Sequence, residues 1–145
     1  MEIYTAGFTQ HTAEQFFETL RRAGIRRLID VRLNNVSQLA GFSKRDDLAY
    51  FLRVICDAEY HHEPLLAPTQ DLLDAYRRRT VRWEDYERRF LALMDERQVA
   101  EQLDWRLFDV PALLLCSEAT PERCHRRLVA EYLAQRWGGV EIVHL

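Results

Sequence analysis

Two thiols, an imidazole, two carboxylates and several guanidinium groups crowd one short stretch of this chain. Cys116-Ser117-Glu118 is followed closely by Glu122-Arg123-Cys124-His125-Arg126-Arg127. The apolar run Ala112 to Leu115 ahead of them has the character of a buried strand, and Thr120-Pro121 carries the N-cap and first-position signals of a helix. Open α/β sheets place ligands at strand-to-helix corners of this kind. Free backbone N–H groups and the positive end of a helix dipole suit a phosphate or carboxylate there, and they favour the thiolate of a nearby cysteine.

Several chemistries fit these residue types. A nucleophilic Cys–His pair needs its two groups to meet in space. Cys124 and His125 are adjacent on the expected helix, where side chains diverge by about 100°, so Cys116 with His125 is the better pair. A phosphatase-like loop would set Cys116 against Arg123, but the gap between them is longer than such loops use. A zinc site from Cys116, Cys124 and a histidine has Cys-x₇-Cys spacing, outside the usual C-x₂₋₄-C pattern, so no metal site is assigned from sequence. Cys124, Leu128 and Tyr132 share one helical stripe, which is also how a core cysteine packs. Packing does not explain Glu118, His125 and Arg126, so the charged set carries more of the expected site than the thiols do.

A second constellation is Asp30-Val31-Arg32, with Ser37, Gln38 and Phe42 in the loop that follows. Asp30 and Arg32 are two apart on an expected strand and share a face. Asp30 can act as a base or orient the arginine, and Arg32 can bind an anion through two hydrogen bonds. If this strand and the Cys116 strand are parallel neighbours, their C-terminal ends converge. His61 and His62 end a third strand and face opposite sides of it. The expected catalytic residues are therefore Asp30, Cys116, Glu118 and His125. The expected substrate-binding residues are Arg32, Ser37, Cys124 and Arg126. No cofactor is identified.

The elements that position these groups follow from periodicity. Met1 to Phe8 reads as a strand. Thr12 caps a helix carrying Phe16, Phe17 and Leu20, which ends at Gly24. Ile25 to Val31 is the next strand, and residues 33–43 form a long loop of the kind that often serves function. A helix runs from Ser43 or Lys44 to about Cys56, and Glu59 to Glu63 is a short strand. Residues 70–101 are helical, broken at Thr80, with charged faces expected to point into solvent. A connector follows to Val110, then the Pro111 strand, the Thr120 helix to about Trp137, a Gly138-Gly139 break and a last strand to His144. This alternation implies an α/β chain: a single three-layer α/β/α domain over residues 1–145, with a mainly parallel sheet of about five strands and a helical insert over 70–110.

The chain has 145 residues, 48% hydrophobic and 30% charged, with a formal net charge of -3. Apolar material suffices for a core without metal or disulfide staples. The charge gives no bulk attraction to nucleic acid, though a local basic patch could. Three cysteines, with no secreted spacing and no leader pattern, lead to an expectation of reduced thiols in the cytoplasm. No stretch approaches the roughly 20 apolar residues of a membrane helix.

The motifs Ile3-Tyr4-Thr5-Ala6-Gly7, Asp30-Val31-Arg32, Ser37 and Cys116-Ser117-Glu118 through Cys124-His125-Arg126 resemble the bacterial and archaeal family called domain of unknown function 488. The resemblance spans essentially the whole chain, including the closing Val-His-Leu, and its most specific motif is the C-x-E-x₅-C-H-R run. The loop after Arg32 departs from the commoner pattern: no proline precedes Ser37, and Gln38 stands where an arginine is frequent. The resemblance implies an α/β domain with its motif residues on one side, and no reaction. The resulting expectation is an enzyme acting on a small anionic substrate, phosphorylated or nucleotide-like. The alternative is a non-enzymatic module that binds nucleic acid or protein through the arginines of 77–89.

Overall fold

A computed structural model describes residues 1–36, 41–118 and 121–145; Ser37, Gln38 and Thr120, named above, lie outside the described residues. Its centre is a five-stranded, all-parallel sheet in the order β3-β2-β4-β1-β5. The strands are β1 (Glu2–Gly7), β2 (Arg27–Asp30), β3 (Glu59–His62), β4 (Ala112–Cys116) and β5 (Glu141–His144). β4 is last but one in sequence yet central in space, between β2 and β1. That explains its unbroken apolar run, since both of its faces are covered.

Helices cover both faces. α1 (Ala13–Arg22) begins at Thr12, whose side chain accepts the Gln15 N–H while the Gln15 side chain accepts the Thr12 N–H. This reciprocal cap satisfies two otherwise unpaired donors. α2 (Arg45–Phe51) continues into a π-helical turn, Leu52–Cys56. These helices bury Phe16, Phe17, Leu20, Leu48 and Leu52 against Ala6, Leu28, Leu113 and Leu115. On the other face lie α3 (Gln70–Arg77), α4 (Trp83–Glu96), α5 (Val99–Gln102) and α6 (His125–Trp137). There Phe90, Met94, Leu128 and Val129 pack on Ile3, Ile29, Ala112, Leu114 and Cys116. The odd and even positions of β4 thus divide between the two cores, as strand alternation requires. Cys116 belongs to the α4–α6 side. Among the described residues no helix is long and apolar enough to cross a membrane.

One expected boundary is corrected. The last helix does not open at Thr120-Pro121; it begins at His125, with Cys124 as an extended N-cap at φ -139°. Residues 121–123 form a turn instead. Its carbonyls are held by a side chain from the helix, since the Arg127 guanidinium donates to Pro121 O at 3.2 Å and Glu122 O at 3.0 Å. Tertiary contacts of Cys124 and Arg127 override the local Thr-Pro start signal.

Candidate functional site

The sheet register decides which predicted residues meet. Asp30 is paired with Leu115, and residues paired across a parallel ladder share a face. Asp30 and Arg32 therefore look toward α1 and α2, while Cys116 looks toward α6. The structure does not bring Asp30 together with the thiols.

Asp30 is fully buried and saturated. Its Oδ1 accepts Arg32 Nε at 2.8 Å and the Arg32 backbone N–H at 3.1 Å. Its Oδ2 accepts Arg32 Nη2 at 2.9 Å and the Tyr60 hydroxyl at 2.6 Å. Loss of water first, and then the buried Asp30 carboxylate, hold the Tyr60 hydroxyl well above its ordinary pKa. Arg32 also donates to Ser43 O at 2.7 Å and lies over the Phe8 ring at 5.2 Å. Only its Nη1 has no partner among the described residues. His62 bonds the Arg32 carbonyl at 2.9 Å, and His61 bonds Glu63 at 3.0 Å.

On the opposite face, the end of β4 and the start of α6 gather Cys116, Cys124 and His125, all buried. Their sulfur and nitrogen donor atoms lie within 4.8 Å of one another. The two sulfurs are in contact as a disulfide pairing, across Cα atoms 7.3 Å apart. His125 Nε2 lies 2.7 Å from Val31 O. A carbonyl only accepts, so Nε2 carries the proton and Nδ1 is left as a lone pair. That lone pair faces Cys116 Sγ at 3.7 Å. Burial, against the Val31 bond and aided by the Arg126 charge, pushes the His125 pKa down to about 4, so the ring is neutral at pH 7.

Arg126 lies beneath this group and is fully buried. It donates to Glu118 O, to Cys124 Sγ at 3.6 Å and to Thr5 Oγ1 at 3.4 Å. Its Nη2 has no partner, and it takes part in no salt bridge among the described residues. Burial lowers its pKa to about 10. Gly7 makes the arrangement possible: a Cβ there would sit 1.5 Å from Glu118 O and 2.7 Å from Arg126 Nη1. The Ser117 carbonyl is in turn held by the Thr9 N–H at 3.1 Å and the Thr9 hydroxyl. The turn after β4 is thus pinned against the end of β1.

Above the three donors opens a cavity of about 800 Å³. Cys116, Cys124 and His125 line its floor, with Glu118 and Arg32 beside them. Its wall comes from the helical segment between β3 and β4: Tyr76, Arg77, Arg79, Arg82, Trp83 and Tyr86. Arg123 adds a further guanidinium from the turn before α6. Arg77, Arg79, Arg82 and Arg123 are exposed, and none of them joins a salt bridge among the described residues. Trp83 and Tyr86 are stacked at 5.3 Å, with Tyr76 at 4.9 Å from Tyr86. The sequence pattern placed Arg123 at the strand-to-helix corner, and Arg77, Arg79 and Arg82 on a solvated face or on the surface of a binding module. The Thr80 break was the available signal: it bends the segment so that the end of α3 and the start of α4 meet over the sheet.

Among the predicted residues, then, Cys116, Glu118, Cys124, His125 and Arg32 share one cavity. Arg126 supports its floor from below, and Asp30 braces Arg32 from the far face. No curated protein and no solved structure matches this chain. A family model described as "Domain of unknown function DUF488" matches residues 12–133, most of the chain and nearly all of the elements that build the cavity. On that match the chain belongs to the DUF488 family.

Proposed function

We propose that this protein is an enzyme acting on a small anionic substrate, phosphorylated or nucleotide-like, held at the C-terminal ends of the strands. The observation that carries this reading is the composition of the cavity. Arginines without carboxylate partners line its wall beside an aromatic stack, and polar, nucleophilic groups line its floor. A volume of about 800 Å³ suits a nucleotide-sized ligand. Guanidinium groups bind phosphate through paired hydrogen bonds, and aromatic faces accept a base. In this reading Arg77, Arg79, Arg82 and Arg123 hold the anion. Arg32, held by Asp30, borders the cavity rather than contacting the anion. Glu118, which lines the cavity and is exposed, is the group placed to exchange protons with a bound ligand.

The concave placement of these arginines favours this reading over a nucleic-acid-binding surface, which would present a flat basic stripe. The test is calorimetric titration of the reduced protein with nucleoside monophosphates and simple phosphate esters. Binding that weakens at least tenfold in the Arg79→Ala, Arg82→Ala double variant, and that falls with salt, supports the reading. Absence of binding across the panel, or equal binding by the double variant, refutes it.

A further inference from the structure

The floor of the cavity has the donor set of a metal site. We propose that, in the reduced protein, Cys116, Cys124 and His125 bind one zinc-class divalent ion whose fourth position opens to the cavity. Its use in catalysis rests on the reading of the cavity given above; metal binding itself does not.

Four observations carry the inference. The first is geometry. With Zn–S near 2.3 Å and Zn–N near 2.0–2.1 Å, a tetrahedral ion sets its sulfur and nitrogen ligands about 3.6 Å apart. Cys116 Sγ and His125 Nδ1 stand 3.7 Å apart. The second is the tautomer. A histidine that ligates metal gives its other ring N–H to a carbonyl or carboxylate, which fixes the ring. His125 does this through Val31 O and presents a bare Nδ1 to the thiols.

The third is the backbone span. The Cys116 and Cys124 Cα atoms are 7.3 Å apart, wider than the about 4.4–6.8 Å usual for disulfides. Two cysteines that clasp an ion are held further apart than two that bond to each other. The sulfurs, now in contact, would swing apart by side-chain rotation to about 3.8 Å around a tetrahedral ion. The fourth is charge. Arg126 is fully buried, joins no salt bridge among the described residues and donates to Cys124 Sγ at 3.6 Å. A buried cation demands an anion. A thiolate at Cys124 supplies one, and hydrogen bonds to ligand sulfur are part of how such sites are supported. Two thiolates and an imidazole form a soft, nitrogen- and sulfur-based set that selects zinc over magnesium or calcium.

The Cys-x₇-Cys-His spacing differs from that of zinc fingers because the ligands sit on a strand end and a helix start, brought together by the sheet rather than by a knuckle turn. All three line the cavity, so water or a ligand oxygen completes the shell. Such an ion acts as a Lewis acid toward an anionic oxygen. His125 then serves as a ligand, and Glu118 remains for proton transfer.

The test uses the intact chain, reduced with a phosphine, freed of metal and titrated anaerobically with cobalt(II). Saturation at one equivalent, a thiolate-to-cobalt charge-transfer band and displacement by zinc are expected. Cys116→Ser and Cys124→Ser should each weaken zinc binding more than about 100-fold, exceeding what loss of a supporting group does. The wild-type titration decides the matter even if a variant fails to fold. Thiol counting on the denatured, unreduced protein gives a second readout. The chain has three cysteines; the zinc-loaded form should titrate all three, whereas a disulfide leaves only Cys56. Absence of the charge-transfer band in the reduced wild-type protein overturns the proposal. The Arg79→Ala, Arg82→Ala variant should keep full cobalt binding, so failure of the anion reading leaves this result untouched.

Discussion

Replacing Gly7 by alanine inserts one methyl group where the structure leaves none. Its carbon would fall 1.5 Å from Glu118 O and 2.5 Å from the Glu118 carbonyl carbon. Both are backbone atoms and cannot rotate away. The turn after β4 must therefore lift off β1. Overpacking of this kind costs about 1–3 kcal/mol. Lifting the turn also withdraws the Glu118 carbonyl from Arg126, a fully buried guanidinium with few other partners. Hydrogen bonds to charged groups contribute about 1.5–3 kcal/mol. Together the two effects predict a loss of about 2.5–6 kcal/mol. For a chain of this size that lowers Tm by roughly 5–24 °C. Urea denaturation and thermal melting read the loss directly. Gly41→Ala is the internal control, because a Cβ there meets nothing within 4 Å among the described residues and Gly41 has no positive φ; its stability should change by less than about 1 kcal/mol. A Gly7→Ala protein as stable as Gly41→Ala would refute the account of how the turn is pinned.

Asp30→Asn should cost about 3–5 kcal/mol in urea denaturation, because Arg32 would keep its burial and lose its counter-charge. Loss of turnover per folded molecule beyond that expected from a displaced Arg32 would return Asp30 to a catalytic role. Arg79 stands at φ 59°, in the left-handed region at the end of α3. Arg79→Gly should therefore stabilise the fold by about 0.5–1 kcal/mol while weakening anion binding; a stabilised variant with unchanged binding removes Arg79 from the site. His144 has its pKa lowered from 6.5, by partial burial first and by the Arg126 charge next. Its charged form is thus favoured in the unfolded chain, and its contribution to stability is lost as pH falls below about 6.5. An NMR titration of its ring should give a midpoint below 6.5, and His144→Gln should flatten that limb of the stability curve.

The sheet was legible because its strands are apolar, short and separated by well-signalled helices. β4 in particular reads as buried on both faces, and the Thr12 cap is spelled out locally. What could not be read was side and register. Asp30 and Cys116 both stand at strand ends, but only the pairing of Asp30 with Leu115 reveals that they face opposite layers. The helix start failed for a related reason: Thr120-Pro121 is a sound local signal, yet Cys124 is drawn into extended backbone beside Cys116 and Arg127 caps the preceding turn. The closeness of Gly7 to Glu118, more than 100 positions away in sequence, leaves no mark in either segment alone.

The cavity is assembled from two segments of the chain that meet through the contact of Phe90 with His125. Its floor is fixed by the sheet and by the pinned turn after β4, while its wall is carried by residues 76–86, between β3 and β4. The thiols and imidazole of the floor and the arginines of the wall are therefore written in separate segments of the chain. Exchanging residues 70–102 between two members of the family should transplant ligand preference with the wall. The sulfur and imidazole donors lie outside the exchanged segment and would stay in the chain.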